Sequence, residues 1–550
     1  MRRARISLDI RDCIIPIIYG VIITLIIIKF VLSNPAIDPT SIIPHPYSVS
    51  FSAKIELFDL TSSSVVCYDN TKPKLKTQAQ FLVGYIFEQA GISVNLIGKI
   101  SDDCSIIIDT GYQDSNEEAY NLTITDYKIY INGSTSRGSF YGIQTLRKLI
   151  PTQKVYSVKF YQVEIIDRPR FSFRGLLLDV SRYFQTFDNV KRFIDIMALH
   201  NMNYFHFHIT DDQGWRFQSK KYPNLTLIGS MRNSTMKDGI PRGGFYTQDE
   251  LRKLVQYAAD RQITIVPEID LPGHSVSALA AYPDLGCTGG PYHVAQKFGP
   301  QIDILCVGNP NTMTFIKDIL TEVMEIFPSE YVHIGGDEVN KFHWRNCKKC
   351  QSRIRKLNLW DDENSKEEYM QAYFTQELAN FLASKGKKAI GWSEAAYVGK
   401  IGNLTVLSWL RHSAKGKSET FGYPTILAPT KPFYLDYRQE FVDDSTYVIK
   451  GAPVNTLRDV YTYEPIEKFH KDEDIKNILG IEACVWGEMT PNFERVMYQT
   501  LPRAAATAVA QWSEPVTKNY NSFVGSLNAL TKIYDVNNWT YFKKFRQVEY

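Results

Sequence analysis

The chain is predicted to fold in the α/β class, as a (β/α)8 TIM barrel preceded by a small α/β domain, and three observations carry that expectation. From Arg174 onward, short apolar runs alternate with stretches of helical spacing, the pattern of repeated strand and helix units. Eight such runs occur, and polar motif residues follow them, which favours a closed barrel with its site at the carboxyl mouth over an open doubly wound sheet. No Gly-x-Gly-x-x-Gly follows the first run, so a dinucleotide-binding fold is weakly supported.

In chain order, residues 13–32 are apolar apart from Lys29 near the end, about the length needed to span a bilayer. Arg2, Arg3, Arg5 and Arg11 precede them and place the amino terminus in the cytosol by the positive-inside rule. Residues 1–33 are therefore expected to be a cytosolic tip and signal anchor of a single-pass type II membrane protein. Its body would be lumenal, in a lysosome or other endomembrane, or extracellular. The competing reading is a signal peptide cleaved near Val31 and Ser33, which releases a secreted protein. Residues 34–46, rich in proline, read as a linker.

Residues 47–168 form the small domain, with strands in SVSFSAKIELF, SIIIDTG and LTITDYKIYING and a helix over 139–149. The barrel is expected over 169–512. Its strands fall at 175–180 (GLLLDV), 204–209, 263–268, 331–334, 389–392, 406–409, 425–427 and 481–486. Helices fall at 190–199, ended by a left-handed Asn201, at 247–261, opened by a Thr247/Glu250 capping box, and at 314–327. Residues 513–550 are a polar tail or packing helix.

Lys and Arg number 62 against 59 Asp and Glu, and no basic run with interleaved aromatics points to nucleic acid. The 8 cysteines are too few for a disulfide scaffold at this length. Cys67 with Cys104, and Cys287 with Cys306, read as loop-closing pairs. A zinc site at Cys347 and Cys350 would need two more ligands, so a local disulfide is the better expectation there. Cys13 and Cys484 should stay reduced. Sequons at Asn121, Asn132, Asn224, Asn233, Asn403 and Asn538, taken with the paired cysteines, favour a glycosylated body in an oxidising compartment.

The catalytic candidate is YVHIGGDEVN at 331–340. An apolar run ends in Gly335 and Gly336, which permit close approach, and then delivers Asp337 and Glu338. Neighbouring carboxylates in a cleft repel, so one tends to keep its proton while the other stays charged. Acidic pairs are more often solvated loop residues, and only the surrounding motifs change that balance.

Those motifs are HIGGDEV, HFHITDDQGWR at 206–216, PEIDLPGH at 267–274 and CVWGE at 484–488. Together, over 47–512, they resemble glycoside hydrolase family 20, whose members are β-N-acetylhexosaminidases. The resemblance implies a zincin-like small domain and a retaining reaction in which the substrate's own 2-acetamido oxygen attacks the anomeric carbon. By the same resemblance, Glu338 is the general acid and then base, Asp337 orients the acetamido N–H, and Tyr434 bonds its oxygen. Asp211 and His274 form a polar relay behind the acid. Trp392, Trp409 and Trp486 wall the sugar, Arg174 grips its 3- and 4-hydroxyls, and Asp436 and Glu488 accept from its 4- and 6-hydroxyls. The segment after Val339, NKFHWRNCKKC, is closer to bacterial members than to animal lysosomal ones.

His206, His208 and His333 are read as satisfied barrel histidines, and no metal or cofactor is expected. The expected partners are a carbohydrate substrate and a membrane; a homodimer is left open. Because the acid must begin protonated, a mildly acidic optimum is expected.

Overall fold

A computed structural model describes residues 33–54, 56–359, 364–409, 422–440, 452–466 and 472–546. The described residues divide into two units, one of 33–42, 46–168 and 528–537, the other of 43–45, 169–527 and 538–546.

The first unit is built on a 7-stranded mixed sheet in the order Ser48–Phe51, Val163–Asp167, Tyr120–Ile124, Ile129–Gly133, Ile106–Thr110, Val65–Tyr68, Asn95–Ile97. Helices Pro73–Ala90 and Ser136–Leu149 pack against it. The first of these buries Leu75, Ala79, Leu82 and Ile86, whose spacing keeps one face apolar, and it stops at Gly91 in a left-handed cap. Thr135 opens the second by accepting from the Arg137 amide.

Residues 34–46 are not a free linker. Ser33–Pro35 pairs in parallel with Ser157–Phe160 in a second sheet, Asp38 caps a turn at Pro39–Ser41, and Ile42 and Ile43 are buried. The apolar stretch 13–32 lies outside the described residues. Among the described residues no helix is long and apolar enough to cross a membrane.

In the second unit eight parallel strands close into a barrel: Phe173–Asp179, Tyr204–His208, Thr264–Glu268, Tyr331–His333, Lys388–Trp392, Leu404–Ser408, Thr425–Leu427 and Ile478–Val485. The last pairs with the first from Phe173 with Gly480 to Leu178 with Val485, which seals the ring. Leu177, Val266, Ile390, Leu407 and Ile426 fill its interior beside Tyr331 and Cys484. Helix Phe187–Leu199 is followed by Asn201 at φ 56°, and Gln248–Asp260 opens with the Thr247/Glu250 capping box. Pro310–Ile326 starts earlier than the apolar spacing implies, because Asn309 caps it and Pro310 suits a first turn. The tail contains a helix, Tyr520–Val536.

Cys67 and Cys104 are bonded. The other two expected disulfides are absent: Cys287, Cys306, Cys347 and Cys350 are all free and converge on one another, because the fold brings the Cys287–Cys306 loop onto the CKKC turn. Cys484 is free and buried, as expected of a strand residue, while Cys13 lies outside the described residues. Asn233, Asn403 and Asn538 are exposed. Asn121 and Asn132 instead face each other across two sheet strands; Asn121 donates to Glu164 and the Asn132 side-chain oxygen is buried. A glycan at Asn132 would have to displace packed neighbours. Asn224 is half-buried at the start of a short helix.

Candidate active site

The strand Tyr331–His333 ends in a backbone that only small residues allow. Gly335 has φ 67°, and a β-carbon there would lie 1.7 Å from Asp270 Oδ1. Gly336 follows at φ 102°, and Glu338 itself has φ 48°, an uncommon conformation for a side-chain-bearing residue that the turn around it holds in place. The two glycines thus let the chain reverse against Asp270 and turn Asp337 and Glu338 toward the mouth.

His274, from the loop after the third barrel strand, meets both acids. Its Nε2 lies 3.7 Å from Asp337 Oδ2 and 3.5 Å from Glu338 Oε2, while Nδ1 lies 3.2 Å from Asp211 Oδ1 and 3.6 Å from Asp212 Oδ2. Burial alone favours the neutral ring, but the charges of Asp211, Asp270 and Asp337 win and hold it well above the ordinary histidine range. Burial likewise opposes ionisation of Asp211; the Arg182 guanidinium and His274 overcome it and hold that carboxyl far below the usual range. Asp337 is pushed up to about 6 by burial and by the charges of Glu268 and Glu338, against the pull of His274. Acid, imidazolium and aspartate therefore form one line of alternating charge.

Beneath that line Glu268 is a hub. It accepts from His206 Nε2 at 3.1 Å and Trp392 Nε1 at 2.9 Å, lies 2.9 Å from His333 Nδ1, which accepts from the Gly335 amide, and contacts His208 Nδ1. His206 Nδ1 also reaches Glu482 at 2.7 Å and His208 Nε2 reaches Asp211 at 2.9 Å. His206, Glu268 and His333 have ligand spacing for an ion, but the carboxylates already hold these rings, so they read as the support of the site.

The aromatic wall is continuous. Trp392 and Trp486 lie 5.6 Å apart, Tyr434 and Trp486 6.0 Å, and Trp409 stacks on Tyr434 at 6.3 Å and 15°. Tyr434 follows the seventh strand and is tied to the eighth by the Leu435 amide, which donates to the Cys484 carbonyl. Asp436 is buried and Glu488 half-buried nearby, and loss of water raises both; each carboxyl carries an oxygen without a hydrogen-bond partner among the described residues. Asp337 Oδ1 likewise has no hydrogen-bond partner among them, and His274 Nε2 has only its longer ion-pair contacts to the two acids. Unpaired buried polar atoms converging from four loops are what a polar ligand would satisfy.

Arg174 is not among them. It lies at the amino end of the first strand, its guanidinium donates to the carbonyls of Asn201 and Phe171, and it lies over the Trp512 ring. Arg182, just beyond the same strand, is an arginine at the mouth. It pairs with Asp179 at 2.8 Å and Asp211 at 2.7 Å, approaches Glu488 at 3.8 Å and lies over Trp486 at 5.3 Å. Its position in the sequence, directly after an apolar run, was the available signal. Glu394 was also missed, although it sits two residues past Trp392. It accepts from Trp409 Nε1 at 2.8 Å and is raised to about 7 by burial and by Asp337. Glu338, Glu394, Lys341, Gln371 and Tyr397 line a cavity of 180 Å³. A larger cavity of 790 Å³ lies in the first unit along 34–38 and 150–153 and has none of these acids, while the smaller one adjoins the site at Glu338 and Glu394.

Residues 171–515 match the model of the glycosyl hydrolase family 20 catalytic domain, and residues 39–168 match the family's domain 2. A β-hexosaminidase of Porphyromonas gingivalis is 36% identical over 89% of this chain and 62% of its own length. One from Vibrio furnissii is 35% identical over 72% of this chain and 65% of its own. The chain therefore spans somewhat less than two thirds of either relative. Among solved structures, the exo-β-N-acetylglucosaminidase of Vibrio harveyi bound to N-acetylglucosamine has a TM-score of 0.81 at 28% identity, covering 92% of this chain and 79% of that one. A mutant Streptomyces plicatus β-hexosaminidase with its product has a TM-score of 0.81 at 25% identity, covering 92% and 97%. With both domains matched and the acid pair seated at the carboxyl mouth of the barrel, this chain belongs to glycosyl hydrolase family 20.

Proposed function

We propose that the protein is an exo-acting β-N-acetylhexosaminidase that removes terminal GlcNAc or GalNAc from glycans, chitooligosaccharides or glycoconjugates with retention of configuration. The observation that carries this reading is the convergence of Asp337, Glu338 and His274 with the ring wall of Tyr434, Trp392, Trp409 and Trp486. Two adjacent acids cannot easily flank a sugar as nucleophile and acid, which in retaining enzymes of the two-carboxylate kind lie about 5 Å apart on either side of the bond. A nucleophile supplied by the substrate removes that difficulty.

In the proposed reaction Glu338 protonates the leaving oxygen while the 2-acetamido carbonyl oxygen attacks the anomeric carbon, and the glycosidic bond breaks. Ionised Asp337 accepts the acetamido N–H and offsets the positive charge of the oxazolinium; Tyr434 donates to the acetamido oxygen. Glu338 then takes a proton from water, which opens the ring and releases the sugar. His274 and Asp211 hold Asp337 ionised and Glu338 in place. Arg182, with Asp436 and Glu488, faces the sugar hydroxyls in place of Arg174.

The test is hydrolysis of chromogenic N-acetylglucosaminide, N-acetylgalactosaminide and plain glucoside by the full-length chain. Cleavage of the glucoside as fast as the N-acetylated sugars would sink the substrate-assisted route; binding without turnover would make the protein a tethered glycan receptor. For localisation we carry forward a signal anchor at 13–32 with a lumenal or extracellular body. Protease protection of tagged protein in sealed membranes tests it.

A further inference from the structure

We propose that Cys287, Cys306, Cys347 and Cys350 bind a structural zinc ion as four thiolates. Their sulfurs all lie within 4.8 Å of one another, with Cys306 to Cys350 at 3.6 Å, Cys306 to Cys347 at 3.7 Å and Cys287 to Cys350 at 3.8 Å. A tetrahedral zinc site with Zn–S bonds of about 2.3 Å has sulfur separations of about 3.8 Å. A disulfide brings its two sulfurs to about 2.05 Å and gives each a single partner. Here Cys306 and Cys350 each have two near neighbours. The four atoms form a cage, not two pairs.

The backbone is shaped to match. Cys347 is the residue at which helix Lys348–Leu357 begins, and Cys350 sits in its first turn, so the C-x-x-C spacing points both sulfurs to one side. Opposite them, the strand-like bridge of Gly286 with Leu305 brings Cys287 and Cys306 together. Gly308 then runs so close to the helix start that a β-carbon there would lie 2.3 Å from the Cys350 amide nitrogen. The Trp344 indole donates to the Leu305 carbonyl at 2.9 Å, and His343 meets Asp303 at 3.0 Å across the same two segments. Cys306, Cys347 and Cys350 are buried and Cys287 is half-buried, which suits a site closed to solvent. Each thiol would release its proton as it ligates, leaving a complex of net charge −2 flanked in sequence by Lys348 and Lys349.

The consequence reaches the site already described. Leu305 donates to the Pro272 carbonyl in the His274 loop, and the segment running from Glu338 ends at Cys347. The ion would staple the loops after the third and fourth barrel strands, which carry His274 and the acid pair.

The experiment is elemental analysis of full-length protein purified without chelator or added metal, together with thiol counting after denaturation in chelator. One zinc per chain and six reactive thiols among the 8 cysteines are expected, since Cys67 and Cys104 are bonded. Titration with an organomercurial should release the zinc as thiols are consumed, and Cys347→Ser should carry background zinc while Cys484→Ser keeps it. Only two reactive thiols and no zinc would overturn the proposal in favour of two disulfides. Six thiols without zinc, or iron in its place, would overturn it equally. These counts are made on the unaltered protein, so they decide even if a variant fails to fold.

Discussion

The two units of this molecule bury charge to different extents. In the first, the core of Leu82, Ile86, Ile106, Ile108, Leu122 and Ile131 is apolar, and a buried acid such as Asp167 is quenched locally by the Tyr120 hydroxyl and the Tyr47 amide. In the barrel, Arg182, Asp211, Glu268, His206, His208, His274 and Glu482 are buried and linked to one another. Burying ions costs stability unless each is paired, and even a paired network does no better than good apolar packing. A fold that concentrates them at one end of a barrel is organised there for chemistry, while the first unit is organised for cohesion.

The largest expected break in that contrast is Glu338→Gln, which should slow hydrolysis of N-acetylglucosaminides about a thousandfold with an unchanged melting curve. Asp337→Asn should cost about a hundredfold, with the loss in kcat and little change in KM. Activity near wild type in either variant would remove its role. Glu268→Gln attacks the support: with three histidines and an indole losing their shared carboxylate, the barrel should lose about 3 kcal/mol in chemical denaturation. Leu122→Ala in the first unit should cost a similar amount, about 3 kcal/mol, yet leave kcat intact in the folded fraction. If Leu122→Ala slowed turnover of the folded protein, the division of labour would be wrong.

The smallest effect is in pH. Asp337 is raised to about 6 and must be ionised to hold the acetamido group, so kcat/KM should fall as pH drops through about 6. The His274 charge lowers Asp337, so His274→Gln should move that limb to higher pH. A limb that moves down would show that His274 does not act through Asp337.

Much of this was legible from local sequence. The strand runs at 175–180, 263–268 and 425–427 lie within a residue or two of the observed strands, since a parallel barrel strand buried on both faces must be continuously apolar. The GGDE turn stood out by its glycines, read as room for another molecule to approach the backbone; in the structure Gly335 makes room for Asp270. Arg174 and Arg182 show where the resemblance was carried over wrongly. Arg174 lies near the amino end of the first strand and Arg182 just past its carboxyl end, so the carboxyl-mouth rule already pointed to Arg182.

The cysteines mark the same boundary. Sequence determined the strand periodicity, the caps and the order of the motifs, because these depend on neighbours along the chain. It also showed that CKKC lacked two ligands for a metal. Only the tertiary structure supplied Cys287 and Cys306 beside it and joined the distant carboxylates and histidines around Glu268. Those depend on which loops share one end of a closed barrel, a relation between residues far apart in the chain that no local pattern encodes.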